Sequence, residues 1–186
     1  MAVMEPPFTL ETATDHYDIR KYGPLRVAES RVEAGFDEAG TRGFKLLARY
    51  ISGDNQSRTK VAGPSFESQH APSETIAMTA PVCQEQSPWG FMIQFAMPAS
   101  FTLATLPKPD DPRVLLREIP PRRMAVHRYS GGWSEGLYQK HRKAFVAALK
   151  KDGVPTTGGP VFARFNSPFV PWFLRRNEIW LEVATP

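Results

Sequence analysis

Cysteine is nearly absent: Cys83 is the only one in the 186-residue chain. A disulfide within the chain is therefore impossible, and so is a zinc site built from several thiolates. No apolar run approaches the ~20 residues that cross a bilayer as a helix. The opening MAVMEPPFTLETATDHYDI has no basic stretch followed by an apolar one, so no secretory leader is expected. The chain reads as a cytoplasmic protein without a transmembrane segment. No lysine or arginine block, zinc-finger, RRM or helix-turn-helix signature occurs, which argues against a nucleic-acid partner. The mild excess of positive charge, +4 with a pI near 9.3, suits an anionic small ligand. Glycines (13) are outnumbered by prolines (18), a sign of many stiff turns that favours a strand-rich or mixed fold over a helical bundle.

What is present has an order. Residues 17–22 and 25–32 read as two strands around a Gly23-Pro24 turn. A helix is predicted over 35–51, with Phe36, Ala39, Gly40, Gly43, Leu47, Tyr50 and Ile51 on one arc. The two glycines on that arc lower helix propensity but allow close packing. Residues 52–75 read as a long polar loop, and 76–83 and 91–97 as strands. The order then recurs. IRKYGPLRVA (19–28) aligns with LREIPPRRMA (116–125), and Gly35-Phe36 with Gly132-Trp133, which opens a second helix to about Lys151. FNSP (165–168) falls against MTAP (78–81), and strand 179–183 against 91–95. The expectation is one domain, 1–186, of two ββαββ repeats (about 16–98 and 113–184) joined by a Pro-rich stretch at 106–112. Packed about a pseudo-twofold axis, they would form an α+β fold, a distorted antiparallel β-barrel or curved sheet carrying two helices.

Four stretches, YDIRKY (17–22), YISGDN (50–55), IAMTAPV (76–82) and RRNEIW (175–180), resemble the SOUL/haem-binding protein family, over about 17–183. The resemblance implies a distorted antiparallel barrel with two helices, related to the small-molecule-binding GyrI-like domains. It also implies non-covalent binding of haem or another tetrapyrrole, for buffering, transport or sensing.

Such a ligand needs an apolar wall, cations at its rim and optionally an axial ligand. Cys-x-x-Cys-His is absent, which excludes c-type attachment, and Cys83 is followed by Gln84 rather than proline. Cys83 is therefore expected to be structural. Arg42 and Arg49 flank Leu46 on one edge of the first helix, a plausible grip for one edge of haem with its propionates paired to arginine. Arg49 matches a basic position of the family, whereas another basic position falls at Thr41. The family's occasional lysine before RRNE is replaced by the apolar VPWFL (170–174). The aromatic-rich stretch 169–173, with Trp172 and Phe173, is the candidate haem wall, or alternatively a protein interface. His141, on the second helix among Leu137, Ala144, Phe145 and Ala148, and His127, in the strand 124–129, are the candidate axial ligands, each with a structural alternative. His16 precedes the first strand and His70 lies in the long loop.

In RRNE, two readings compete. One arginine pairs with Glu178 or with a carboxylate across the sheet while Asn177 closes the turn, or Glu178 and an arginine line the ligand cleft. A hydrolase acting on a planar ligand would have to draw on Glu178 with Tyr129 or His127. Gly-x-Ser-x-Gly is absent, which favours a binding protein over an enzyme. Nothing in the sequence names an oligomeric partner.

Overall fold

The structure, a computed structural model, describes residues 4–58 and 72–184. Alternation of apolar and polar side chains builds strands β1 (Phe8–Ala13), β2 (Asp18–Tyr22) and β3 (Leu25–Val32) before helix α1 (Phe36–Ser52). Strands β4 (Asn55–Gln56), β5 (Val82–Ser87), β6 (Gly90–Ala96), β7 (Lys108–Pro109), β8 (Leu115–Ile119) and β9 (Arg122–Ser130) precede helix α2 (Glu135–Lys151). Strands β10 (Thr156–Arg164) and β11 (Arg176–Val183) close the chain, with a short 3-10 turn, Trp172–Leu174, between them.

Nine strands form one antiparallel sheet in the order β1-β2-β9-β11-β10-β5-β6-β3-β8. Its edges, β1 and β8, are not paired with each other, so the sheet is open and curved rather than a closed barrel. Apart from the extra edge strand β1, the order is symmetric about the central β10–β5 pair: β11, β9 and β2 lie outward on one side, β6, β3 and β8 on the other. The Gly23-Pro24 turn does not make a hairpin. β2 pairs with β1 and β9, while β3 pairs with β6 and β8. The first strand of the N-terminal half thus lies beside the C-terminal half, and β8 makes the reciprocal crossing. The 76–83 strand also starts later than expected, at Val82.

Both helices lie on one face. The buried residues of α1 are the seven of the expected arc. Gly43 and Gly40 let the helix approach closely: a Cβ on Gly43 would sit 2.3 Å from Ile93 Cγ1 on β6. Gly53, at φ 126°, ends the helix, its N–H bonding back to the Tyr50 carbonyl. The buried Asn55 then donates to the Tyr50 and Glu74 carbonyls and accepts from the Glu74 N–H, so one side chain ties helix end to returning chain. Helix α2 starts at Glu135, two residues after Trp133, and buries Tyr138, Phe145 and Leu149; Ala144, expected on its stripe, is exposed. Phe36 joins the helices, stacking on Tyr138 (4.9 Å) and Phe162 (5.6 Å). The opposite face of the sheet carries a second layer of core, with Tyr22, Met124, Val126, Val161, Ala163 and Trp180.

Overpacking is therefore expected at Gly43. Gly43→Ala should lower stability by about 1–3 kcal/mol despite the better helix propensity of alanine. Gly136→Ala, on α2 with open space around its Cα, should raise it by up to ~1 kcal/mol. Urea unfolding of the two variants beside the wild type checks both signs.

Candidate functional site

The register Arg164↔Val82 brings the end of β10 beside the start of β5. Because the strands are antiparallel, the chain entering β5 (78–81) and the chain leaving β10 (165–168) emerge at the same end of the sheet. FNSP and MTAP therefore meet in space although one follows its strand and the other precedes it. Between them and α1 is a cavity of about 460 Å³, within the ~300–1,000 Å³ usual for small-molecule sites. Gly40, Thr41, Phe44 and Lys45 of α1 form one wall; Met78, Thr79, Ala80 and Val82 form the next. Trp133, Arg164 and residues 165–168 complete it. Thr79 is held by a hydrogen bond from its hydroxyl to the Ala96 carbonyl, and Trp133 by Nε1–H donation to Asn177 Oδ1 (3.0 Å).

Arg164 is the unusual member. Its Nε and Nη2 are shut off from solvent and have no hydrogen-bond partner among the described residues. The rings of Trp133 (5.4 Å) and Phe162 (5.8 Å) lie against its charge. Burial pushes its pKa down to about 10. Gly40 makes the space for this guanidinium: a Cβ there would lie 2.4 Å from Nη2 and 2.7 Å from Nη1. An unpaired buried cation is expensive, and an anion in the cavity would satisfy it. Lys45, exposed at the rim, adds a second positive charge. The sequence carried a signal for Arg164, a lone arginine in the apolar run VFARF (161–165), and reasoning from motifs passed over it.

The residues expected to hold a ligand lie elsewhere. Arg42 pairs with Glu38 on the exposed side of α1, Arg49 pairs with Asp54 (2.7 Å), and the partly buried Leu46 packs onto the core under α1. None of the three lines the cavity. Trp172 and Phe173 are largely exposed just past the cavity's edge at Pro168.

The two candidate axial histidines, by contrast, are neighbours. His127 Nδ1 is 2.7 Å from the His16 carbonyl oxygen and must donate to it, since a carbonyl only accepts. His127 Nε2 then accepts from His141 Nδ1–H at 3.1 Å. The His141 ring stacks on Tyr129 at 4.0 Å. Of the four imidazole nitrogens, His141 Nε2 alone keeps a free lone pair, and neither residue lines the cavity. His70 lies outside the described residues. Burial pushes the Cys83 thiol up to about 12, so it stays protonated and unreactive, in keeping with a structural role.

RRNE is a structural clasp in this fold. Glu178 is fully buried. It accepts from Arg20 Nη1 (3.2 Å to each oxygen), Arg176 Nε and Nη2 (3.0 and 2.8 Å), and Trp180 Nε1 (2.7 Å). Arg20 comes from β2, across the intervening β9. Asn177 donates to the Gly131 carbonyl (3.0 Å) while accepting from Trp133, and Arg175 donates to the Val170 and Pro168 carbonyls (2.8 Å each). Glu178 faces the side of the sheet away from the helices, with Trp180, whereas Tyr129 belongs to the core beneath α2 and stacks with His127. The sheet thus separates Glu178 from Tyr129 and His127, and Glu178 does not line the cavity. Among the described residues no group of three or more His, Cys, Asp or Glu is placed to hold a metal ion.

The model of the SOUL heme-binding protein family matches residues 3–182. Among solved structures, the C-terminal domain of EcmrR superposes with a TM-score of 0.63 at 10% identity, covering 91% of this chain and 99% of that one. The EcmrR–DNA complex gives 0.64 at 9% identity, over 91% of this chain and 57% of that one. A hydrolase from Listeria innocua gives 0.54 at 13% identity, over 89% and 91%. At these identities the likeness is one of fold, and that fold is the GyrI-like one expected from the sequence. No curated protein matches the chain.

Two outcomes follow from the charges described. Glu178→Ala leaves two arginines facing a buried void and should cost about 3–5 kcal/mol in urea unfolding. The second concerns pH. Burial, then His127 and Lys140, hold the His141 pKa below its ordinary 6.5. The unfolded chain therefore takes up this proton first as pH falls. The stability conferred is full above about 6.5 and declines below it. His141→Gln should flatten that decline in urea midpoints measured from about pH 7.5 to 5.

Proposed function

Because the chain belongs to the SOUL heme-binding protein family, we propose that it binds haem or a related tetrapyrrole without covalent attachment, in the cavity beside α1. The observation that carries this reading is Arg164: an unpartnered guanidinium facing an otherwise largely apolar cavity. A tetrapyrrole supplies an apolar disc for Phe44, Val82 and Trp133 and a carboxylate for Arg164, with Lys45 at the rim for a second. Haem iron, when bound, supplies redox and axial-ligand chemistry. This chain's residues hold the ring and neutralise its carboxylates. Among the described residues lining the cavity none carries an imidazole or a thiolate, and Met78 supplies a sulfur donor. Ring and carboxylate contacts thus carry the affinity, and a reversible site of this kind suits buffering, transport or sensing.

A direct test is titration with protoporphyrin IX and with its dimethyl ester. Arg164→Met should weaken the free acid about 10–100-fold, the worth of a charge-assisted hydrogen bond, and leave the ester unchanged. The pair Arg42→Ala/Arg49→Ala should change neither. If that pair weakens binding and Arg164→Met does not, the ligand lies along the outer edge of α1 and the cavity reading fails.

A further inference from the structure

From Ser167 to Leu174 the chain has no charged residue. Phe169 is 94% exposed, Trp172 64%, Phe173 58% and Leu174 63%. Four large apolar side chains thus project into water from one short segment. Isolated exposed apolar residues are ordinary, but a cluster of this kind marks a contact surface.

Part of the backbone beneath them is tied down by internal hydrogen bonds. Arg175 donates to the Pro168 and Val170 carbonyls, and the Val170 N–H reaches the Ser167 carbonyl. The Leu174 N–H reaches the Pro171 carbonyl (2.9 Å), and Phe169 N–H reaches Ser167 Oγ (3.3 Å). Pro168 and Pro171 have no N–H to satisfy. A segment that bonds several of its backbone groups internally while turning Trp, Phe and Leu outward suits the interfacial region of a bilayer, where the remaining groups still meet water. Between Ser167 and Leu174 the Ser167 hydroxyl is the one polar side-chain group, and it already accepts from the Phe169 N–H, so the tip presents an apolar surface without directional side-chain contacts.

Charge points the same way. Arg128 is exposed on β9, the strand that the Trp172–Leu174 turn touches, and Lys45 is exposed at the cavity rim. Neither has an ion-pair partner among the described residues, and the whole chain carries +4. We propose that the 168–174 segment is a membrane-docking tip that inserts its aromatic side chains into the interface of an anionic lipid surface. Pro168 also lines the cavity, so the docked face and the cavity's edge coincide. The docking stands whether or not the cavity takes a tetrapyrrole.

The test uses the full chain with vesicles of phosphatidylcholine alone and of phosphatidylcholine with phosphatidylglycerol. The wild type should co-sediment with the anionic vesicles, and brominated lipid should quench its tryptophan emission. Trp172→Phe should retain binding and lose part of the quenching. Trp172→Glu/Phe173→Glu should weaken partitioning about tenfold or more, with an unchanged thermal midpoint because both residues are exposed. Arg128→Ala should weaken binding to anionic vesicles only. No co-sedimentation, or co-sedimentation indifferent to the glutamate pair, would overturn the proposal. So would a dimer in solution that the glutamate pair dissociates, since the patch would then be an interface between copies.

Discussion

Strand β10 runs antiparallel to β5 in the middle of the sheet, with Arg164 opposite Val82. Most of what distinguishes this molecule depends on that register. It decides which loops share an end of the sheet, and so builds a cavity from segments more than eighty residues apart. It also places Arg164 on the helix-covered face, beneath the one buried stretch of α1 where a glycine leaves room for a guanidinium. A slip of one residue would turn Arg164 to the opposite face and Ala163 toward α1, leaving the cavity without its charge.

The two faces of the sheet treat buried charge in opposite ways. On the side away from the helices, Glu178 is held by two arginines and an indole N–H, and its cost of burial is offset within the protein. On the helix side, Arg164 has no such company. The first arrangement fixes β2 and β11 relative to each other across β9. The second leaves an electrostatic demand unmet at the wall of a cavity. That difference separates a charge satisfied within the protein from one that faces a cavity.

Much of the fold was legible because it rests on periodicity. The seven-residue arc of α1 could be read from 3.6-residue spacing alone, since a helix on a sheet buries what its own geometry selects. The family motifs likewise marked real junctions: YISGDN ends α1, IAMTAPV forms a cavity wall, and RRNE clasps the last strand. Strand pairing was less accessible. The Gly23-Pro24 turn looks local, but its two strands part to opposite sides of the sheet, a non-local choice that no short window contains. The site was less legible still. Arg42 and Arg49 sit at suitable helical spacing, but each finds an acidic neighbour on the exposed side of α1. Arg164 matters because of what is missing around it, and an absence of partners exists only in three dimensions. The His127–His141 contact is likewise formed between a strand and a helix.

The crossing of β2 and β8 gives the chain an unusual kind of unity. Each half of the polypeptide contributes a strand to the other half's side of the sheet, so the two sides interlock as clasped hands do. Severed at the 106–112 connection, the N-terminal piece would leave β3 without β8, and the C-terminal piece would leave β9 without β2. Neither could complete its own hydrogen-bond ladder. A cut there removes outer strands from both sides of the sheet at once, so the two halves of the chain depend on each other to finish the sheet that walls the cavity.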